Sequence, residues 1–414
     1  MSHTYINKLL KTVFLYLIFF IIIYNETIPI FGIKISMIWK LPIFLFLLIY
    51  NLNNIKQIFL FIPILLSINI IINTGFPSGI FGDISEIVQL LSIPLIYYYA
   101  KKKFRRKPHK LESILISISS FYIISTLPFI FEILEPRGLI KELDKFGSSG
   151  NMLNGIFFHP SISSKVYVVS TLIIFNYLLD YKRRKKIYYF IFIIGIASIY
   201  LSFTRTGWLT FIMGIILLLS YRYGKIKVFF KLSPLILICG FLIFNLIGSD
   251  DSLRMRIIGE RTYRSNSELD INKLSSNRVF LYFGAYQIIT NSNIVEKLIG
   301  YGHDGAIEQM GKQTGLALTA HNRFLEIILM GGFISFLLYF MYLYYLYKYA
   351  FKSEFNNDID GLVKTLFILL VIYNFPSHGF PLWCDILFAL TLALHKVKQN
   401  EIKQNEYDIY YRKL

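Results

Sequence analysis

The chain has 414 residues, of which 55% are apolar and only 16% charged, where a soluble domain carries roughly a quarter charged residues. Long apolar runs recur from end to end, which excludes a soluble enzyme and makes this an integral membrane protein. A net charge of +18 would suit nucleic acid, but the basic residues cluster in short loops between apolar runs, where they set orientation instead. The two cysteines, Cys239 and Cys384, lack metal-ligand spacing and make no disulfide framework.

In chain order the apolar runs predict twelve membrane spans, at 9–24, 35–50, 56–73, 84–100, 111–131, 161–179, 188–203, 207–221, 232–248, 321–347, 362–375 and 383–396. The first has no small-x-small cleavage site and reads as a retained helix. Basic clusters follow the fourth span (Lys101 to Lys107), the sixth (Lys182 to Lys186) and the eighth (Arg222, Lys225, Lys227, Lys231). All three come after even-numbered spans, so a single orientation puts them and both termini in the cytoplasm.

The opposite, outer face then carries loops 73–85 and 132–160, the tight turn 204–207 and the interval 249–320. This interval holds eight basic and eight acidic residues. It is too long for a plain connector, and a small helical outer domain is expected there. Within it, Arg278 opens an expected amphipathic helix of about 12 residues, too short to span and suited to lie along the membrane interface. The tail from Lys396 is polar and expected to fray.

Few residues can carry chemistry. Arg205, in a turn that Gly207 permits to be tight and where Thr206 can cap the next helix, sits at the outer end of a span. Such an arginine needs water, a phosphate or a partner, and its fork suits a diphosphate. Arg278 follows Ser275-Ser276-Asn277, a good cap run; Arg254, Arg256, Arg261 and Arg264 are close by in sequence. The run His321-Asn322-Arg323-Phe324-Leu325-Glu326 opens the tenth span, with Thr319 or Ala320 before its first turn. The positive helix end keeps the His321 imidazole neutral, able to take a proton from a hydroxyl, and the free backbone N–H groups there can hold an anion. Glu326 can pair with Arg323 at i,i+3 as structural support. His303, in a glycine-rich turn, and His159, ahead of a span, are weaker candidates. Asp358-Ile359-Asp360 imitates a metal-nucleotide motif but falls on a cytoplasmic loop. No zinc cluster and no phosphate loop ending in Gly-Lys-Ser/Thr is present, so neither metal nor cofactor is expected.

Four stretches together resemble the bacterial O-antigen ligase and polysaccharide polymerase superfamily. They are Gly155-Ile156-Phe157-Phe158-His159-Pro160-Ser161; Leu201-Ser202-Phe203-Thr204-Arg205-Thr206-Gly207; the stretch from Arg278 to the glycine pair Gly300 and Gly302; and His321 to Glu326 with Gly331-Gly332. Ser161 and Thr204 stand where the family has Asn and Ser. The resemblance covers about residues 150–345. It implies an all-α fold of the membrane glycosyltransferase C class, a polyprenyl-diphosphate-linked glycan donor and metal-independent transfer on the outer face of the cytoplasmic membrane. Residue by residue, it implies that Arg205 and Arg278 hold the diphosphate and that His321 activates the acceptor or positions the leaving group. Asn322, Arg323, His303 and His159 would be binding residues, and Glu326, Gly207 and Gly302 structural ones.

Two outcomes share that site: a polymerase joining lipid-linked repeat units, and a ligase moving finished glycan to a lipid core or protein. The Ile, Lys and Asn skew and the lack of an appended acceptor domain in the sequence lean to the polymerase, with flippase and chain-length regulator proteins as partners. A transporter would carry ionisable groups near mid-membrane, where only Lys40 and Lys165 come close. A non-catalytic scaffold would depend on none of these residues.

Overall fold

The computed structural model describes residues 3–25, 29–30, 33–72, 80–134, 153–157, 159–180, 185–202, 204–224, 278–352 and 357–413. The expected ninth span (232–248), Arg254 to Arg264 and most of loops 73–85 and 132–160 lie outside these residues. The described chain is helical apart from a two-residue antiparallel pairing of Pro29 with Lys34 and Ile30 with Ile33. Among the described residues four helices are long and apolar enough to cross a membrane: Pro108–Ile130, Pro160–Leu178, Arg205–Tyr223 and Arg323–Phe351. Four shorter apolar helices accompany them: Val13–Tyr24, Ile38–Tyr50, Ile58–Ile72 and Lys186–Leu201.

The elements are α1 (His3–Tyr24), α2 (Ile35–Tyr50), α3 (Ile58–Ile72), α4 (Ile80–Lys103), α5 (Pro108–Ile124), α6 (Leu127–Ile130), α7 (Pro160–Leu178), α8 (Lys186–Leu201), α9 (Arg205–Tyr223), α10 (Arg278–Asn291), α11 (Ile294–Ile299), α12 (Gly302–Thr314), α13 (Arg323–Phe351), α14 (Asp360–Tyr373) and α15 (Leu382–Lys413). They form two compact units, Met1–Phe46 with Ile116–Trp208, and Leu47–Leu115 with Leu209–Leu414.

The first unit is built on α5, α7 and α8. Their β-branched and leucine faces meet in a core of Ile116, Ile123, Ile174, Leu178, Ile191 and Ile194. Gly195 lets α8 come close to α7, since a Cβ there would meet Thr171 Oγ1 at 2.3 Å. Thr126 and Ser198 satisfy each other at 2.9 Å inside this apolar packing.

In the second unit α15 packs along α4, and α13 along α3. On α13, Phe333, Leu337, Phe340, Met341, Tyr344 and Tyr347 are exposed, while Ser335, Tyr339, Tyr342, Leu343 and Leu346 are buried. An outward stripe of large apolar side chains at helical spacing suits lipid, not water. The helix α13 is broken near its start. Gly332 has φ 65° and ψ −169°, a conformation essentially restricted to glycine. The break frees the Gly331 carbonyl, which accepts from the Asn69 amide at 2.7 Å; the same amide reaches Ser335 Oγ at 2.7 Å. Into this break fits the end of α11. Gly300 (φ +79°) lies against it, and the Tyr301 N–H donates to the Leu329 carbonyl at 2.8 Å. A Cβ on Gly332 would come within 2.2 Å of the Leu298 backbone, and one on Gly300 within 2.5 Å of the Gly331 nitrogen. Neither obstacle is a movable side-chain tip. Gly332→Ala is therefore expected to lower the thermal unfolding midpoint in detergent, with at least about 1–3 kcal/mol lost from backbone strain alone. An unchanged midpoint would show that the crossing is not tight.

Two expectations are corrected here. The tail does not fray at Lys396: α15 runs to Lys413, and His395, Val397, Lys398 and Gln399 are buried. Its polar residues are held because Lys398 pairs with Asp358 at 2.8 Å and with Glu112 at 3.2 Å. That network also absorbs the acidic triplet, with Asp360 paired to Lys364 at 2.6 Å. The helix after Arg278 is not divided into a wet and a dry face. Leu281, Ala285 and Ile288 are buried, while Val279, Phe280, Phe283 and Tyr286 are exposed. An outward aromatic surface is placed for lipid contact.

Candidate functional site

Helix α13 starts at Arg323, not at His321. Asn322 is its N-cap, with Oδ1 accepting from the Phe324 and Leu325 N–H groups at 3.0 and 3.2 Å. Asparagine is among the best caps because its short carbonyl satisfies these otherwise unpaired donors. The expected free N–H groups at this helix end are thus partly taken by Asn322 itself. His321 precedes the cap in a left-handed turn, φ 51°. Such a conformation is uncommon for a non-glycine residue and points to a constrained position. The constraint is visible: the Tyr282 hydroxyl donates to the Phe375 carbonyl at 2.9 Å and lies 3.4 Å from that of His321.

The cap also anchors a second strand of chain. The Arg323 N–H donates to the carbonyls of Asn374 and Ser377, at 2.8 and 3.0 Å. This brings the connector between α14 and α15 against the His321 turn. His378, on that connector, places its ring 4.6 Å from that of His321, tilted by 51°. Its Nδ1 lies 2.5 Å from Oε1 of Glu326. Glu326 is buried at 4% exposure, whereas the His378 side chain is 44% exposed. A buried carboxylate behind a half-exposed imidazole is the base-and-orienter arrangement used to prepare a proton acceptor.

The expected pairing of Glu326 with Arg323 is corrected. Arg323 turns away and meets Glu86 of α4, Nη1 to Oε2 at 2.7 Å. The Arg323–Glu86 contact is a charge pair by distance. An arginine side chain is long enough to reach the neighbouring helix, and the partly buried carboxylate of Glu86 there gains from a counter-charge.

Glu86, Thr319, Glu326 and His378 line a cavity of about 30 Å³ together with His303. That volume holds a water or two, so a sugar would have to approach His378 from its exposed side. His303 is not in a loop: it stands in the first turn of α12, 3.0 Å from Asp304. Gly302, with φ +72°, starts that helix. On the other side of His378 a second cavity of about 30 Å³ is lined by Arg323, Asn374 and Asp385.

Arg278 is the first residue of α10, one turn from Tyr282. Burial lowers the pKa of its guanidinium, with the nearby Tyr282 acting the other way. A partly desolvated guanidinium gains from an anionic partner. Tyr282, raised chiefly by burial, ties this helix to the His321 turn.

The remaining candidates lie in the first unit. Arg205 is the first residue of α9; the Trp208 N–H donates to the Thr204 carbonyl at 3.2 Å, which puts Thr204, not Thr206, at the cap position. Gly207 permits close packing there, since a Cβ would meet Thr204 Oγ1 at 2.5 Å and Ser164 Cβ at 3.1 Å. His159 caps α7, its Nδ1 accepting from the Ser161 N–H at 3.1 Å. Sequence reasoning missed His378, Glu86 and Tyr282.

Residues 190–340 match the family model described as O-Antigen ligase. That stretch is similar to the O-antigen ligase family, and the match supports a place in the O-antigen ligase and polymerase superfamily. The ligase-type domain takes in Arg205, Arg278, His303, the run from His321 to Glu326, and the crossing of Gly300 with Gly332. Glu86 and His378 come to the same site from outside the matched residues. No curated protein and no solved structure matches the chain.

Proposed function

We propose that this protein is a membrane polysaccharide polymerase, which moves a glycan from a polyprenyl-diphosphate-linked donor onto the terminal sugar of another lipid-linked repeat unit. The observation that carries the reading is the His378–Glu326 pair beside His321, in the same unit as Arg278 and largely within the ligase-type domain. Its site lies on the outer face of the cytoplasmic membrane, in a twelve-span fold of the membrane glycosyltransferase C class with both termini cytoplasmic. Span parity supports this, because Glu86, Arg278, His321 and His378 all fall at outer span ends or in outer loops.

In the reaction, Glu326 holds the proton of His378 on Nδ1 and leaves Nε2 to accept the hydroxyl proton of the acceptor sugar. The hydroxyl oxygen then bonds to the anomeric carbon of the donor as the bond from that carbon to the diphosphate oxygen breaks. Negative charge grows on the leaving diphosphate, and Arg205 and Arg278 act most strongly at that point. His321, tilted against His378, positions the acceptor. No metal is needed for these steps. The aromatic outer side of α10 (Phe280, Phe283, Tyr286) beside Arg278 suits lipid-borne substrates. A flippase and a chain-length regulator are the expected partners. The description of the matching family favours a second reading, a ligase that transfers finished glycan to a lipid core or protein.

The test is glycan product length in a host lacking its own polymerase but supplying the matching repeat unit. Long chains are expected from the wild type, and single repeats from Arg205→Ala, Arg278→Ala and His321→Ala at matched expression. Single repeats moved onto a lipid core by the wild type would establish the ligase. Wild-type chain length from all three variants would overturn the site.

A further inference from the structure

The end of α4 remote from the candidate site opens onto a cleft of about 920 Å³. Lys101, Lys102, Arg105 and Arg106 line it from the α4 end and the following turn, and Lys403 and Glu401 from α15. Among the described residues five cations thus face one carboxylate. An orientation signal needs basic residues in a loop; it does not need a concave surface to which a second, distant helix adds its own cation. Among the described residues, the neighbouring carboxylates Glu112 and Asp358 turn to Lys398 and do not line the cleft. Burial, then the charges of Lys396 and Arg105, lower the pKa of the Lys101 ammonium. Like charges so crowded are stabilised by an anion among them.

Position narrows the source of that anion. Fifteen residues of α4 separate Glu86 from Lys101, a rise of about 22 Å, most of the way across a hydrocarbon core of about 30 Å. The cleft therefore lies at the headgroup level opposite the candidate site. Its cations adjoin aromatic rings, with Lys101 Nζ 5.6 Å from the Tyr97 ring centre and Lys102 Nζ 4.9 Å from that of Tyr50. Tyrosines beside cations mark the layer where the hydrocarbon meets the headgroups.

We propose that this cleft binds the phosphate-bearing headgroup of an anionic membrane lipid. Basic recesses between membrane helices recognise such headgroups by charge and hydrogen bonding. Placing the lipid in the cytoplasmic leaflet rests on the proposed orientation; the binding itself does not.

The experiment uses the full chain in nanodiscs of phosphatidylcholine with increasing phosphatidylglycerol or cardiolipin. Retained lipid is read by native mass spectrometry and the unfolding midpoint by thermal shift. Anionic lipid is expected to be retained and to raise the midpoint. Arg105→Gln/Arg106→Gln should weaken that binding about 10- to 30-fold, with the midpoint in pure phosphatidylcholine unchanged. Arg105→Lys/Arg106→Lys should keep most of it, and Glu401→Gln should tighten it. Equal retention by the glutamine variant overturns the proposal, as does a Glu401→Gln variant that binds no better, should the glutamine variant fail to fold. Stabilisation by inorganic diphosphate that displaces the lipid would overturn the lipid source in favour of a soluble anion.

Discussion

Replacing His378 with alanine is expected to cut glycan transfer by about 10²- to 10⁴-fold, the usual contribution of a positioned general base. The imidazole is half exposed, and a carboxylate stands 2.5 Å behind it. Loss of the ring should leave the fold intact, because the connector is held mainly by backbone bonds from the Arg323 N–H to Asn374 and Ser377. The unfolding midpoint of His378→Ala should therefore stay close to that of the wild type. Added imidazole should restore part of the rate, which a purely structural histidine would not allow. Glu326→Gln keeps the shape of the orienting group and loses its charge, so its transfer rate should fall between the wild type and His378→Ala. Full activity in His378→Ala would return the role of base to His321.

The two histidines differ in how far they could be read from the sequence. His321 sits in a run where local rules converge: an asparagine suited to cap, acidic and basic residues in a first turn, and paired glycines after it. Those rules act over a few residues, so they survive without tertiary information. His378 stands alone in Pro376-Ser377-His378-Gly379, and nothing local distinguishes it from an ordinary interfacial histidine. One signal was available, since the parity of spans puts residues 376–382 on the same face as His321. Glu86 was hidden differently, as a single acid at the start of an apolar run.

The errors have one physical source. Pairing Glu326 with Arg323 assumed that neighbours on a helix satisfy each other, while the long guanidinium reached Glu86 on α4 instead. The helix after Arg278 was expected to show water one polar face, yet its exposed side is aromatic. Lipid as a neighbour removes the polar half of the pattern on which that expectation relied. The tail was expected to fray because it is polar, and Lys398 is held by two carboxylates that lie far from it in sequence. Membrane class was legible because it depends on composition over some 20 residues. The partners of single charges were not, because they depend on which helices meet.

Arg323→Ala is expected to be the most destabilising single change in the site, costing about 3–5 kcal/mol. The Arg323 side chain is 3% exposed and Glu86 17%. Removing the guanidinium leaves a carboxylate in a low-dielectric setting with its counter-charge gone, and that uncompensated charge, more than the lost attraction, sets the cost. The comparison that isolates it is Arg323→Met with Glu86→Gln, which removes both charges and keeps similar volume. This pair should unfold well above Arg323→Ala in detergent, because no lone charge remains. Arg323→Lys keeps the charge on a shorter reach without the planar fork, and should fall between them. If the double variant is as unstable as Arg323→Ala, the damage comes from lost packing and not from Glu86. If Arg323→Ala unfolds with the wild type, the ion pair contributes nothing to the fold. Transfer activity separates the two roles of the residue. The Arg323 backbone N–H still anchors the His378 connector in every variant, so a folded double variant should retain activity unless the guanidinium also meets substrate.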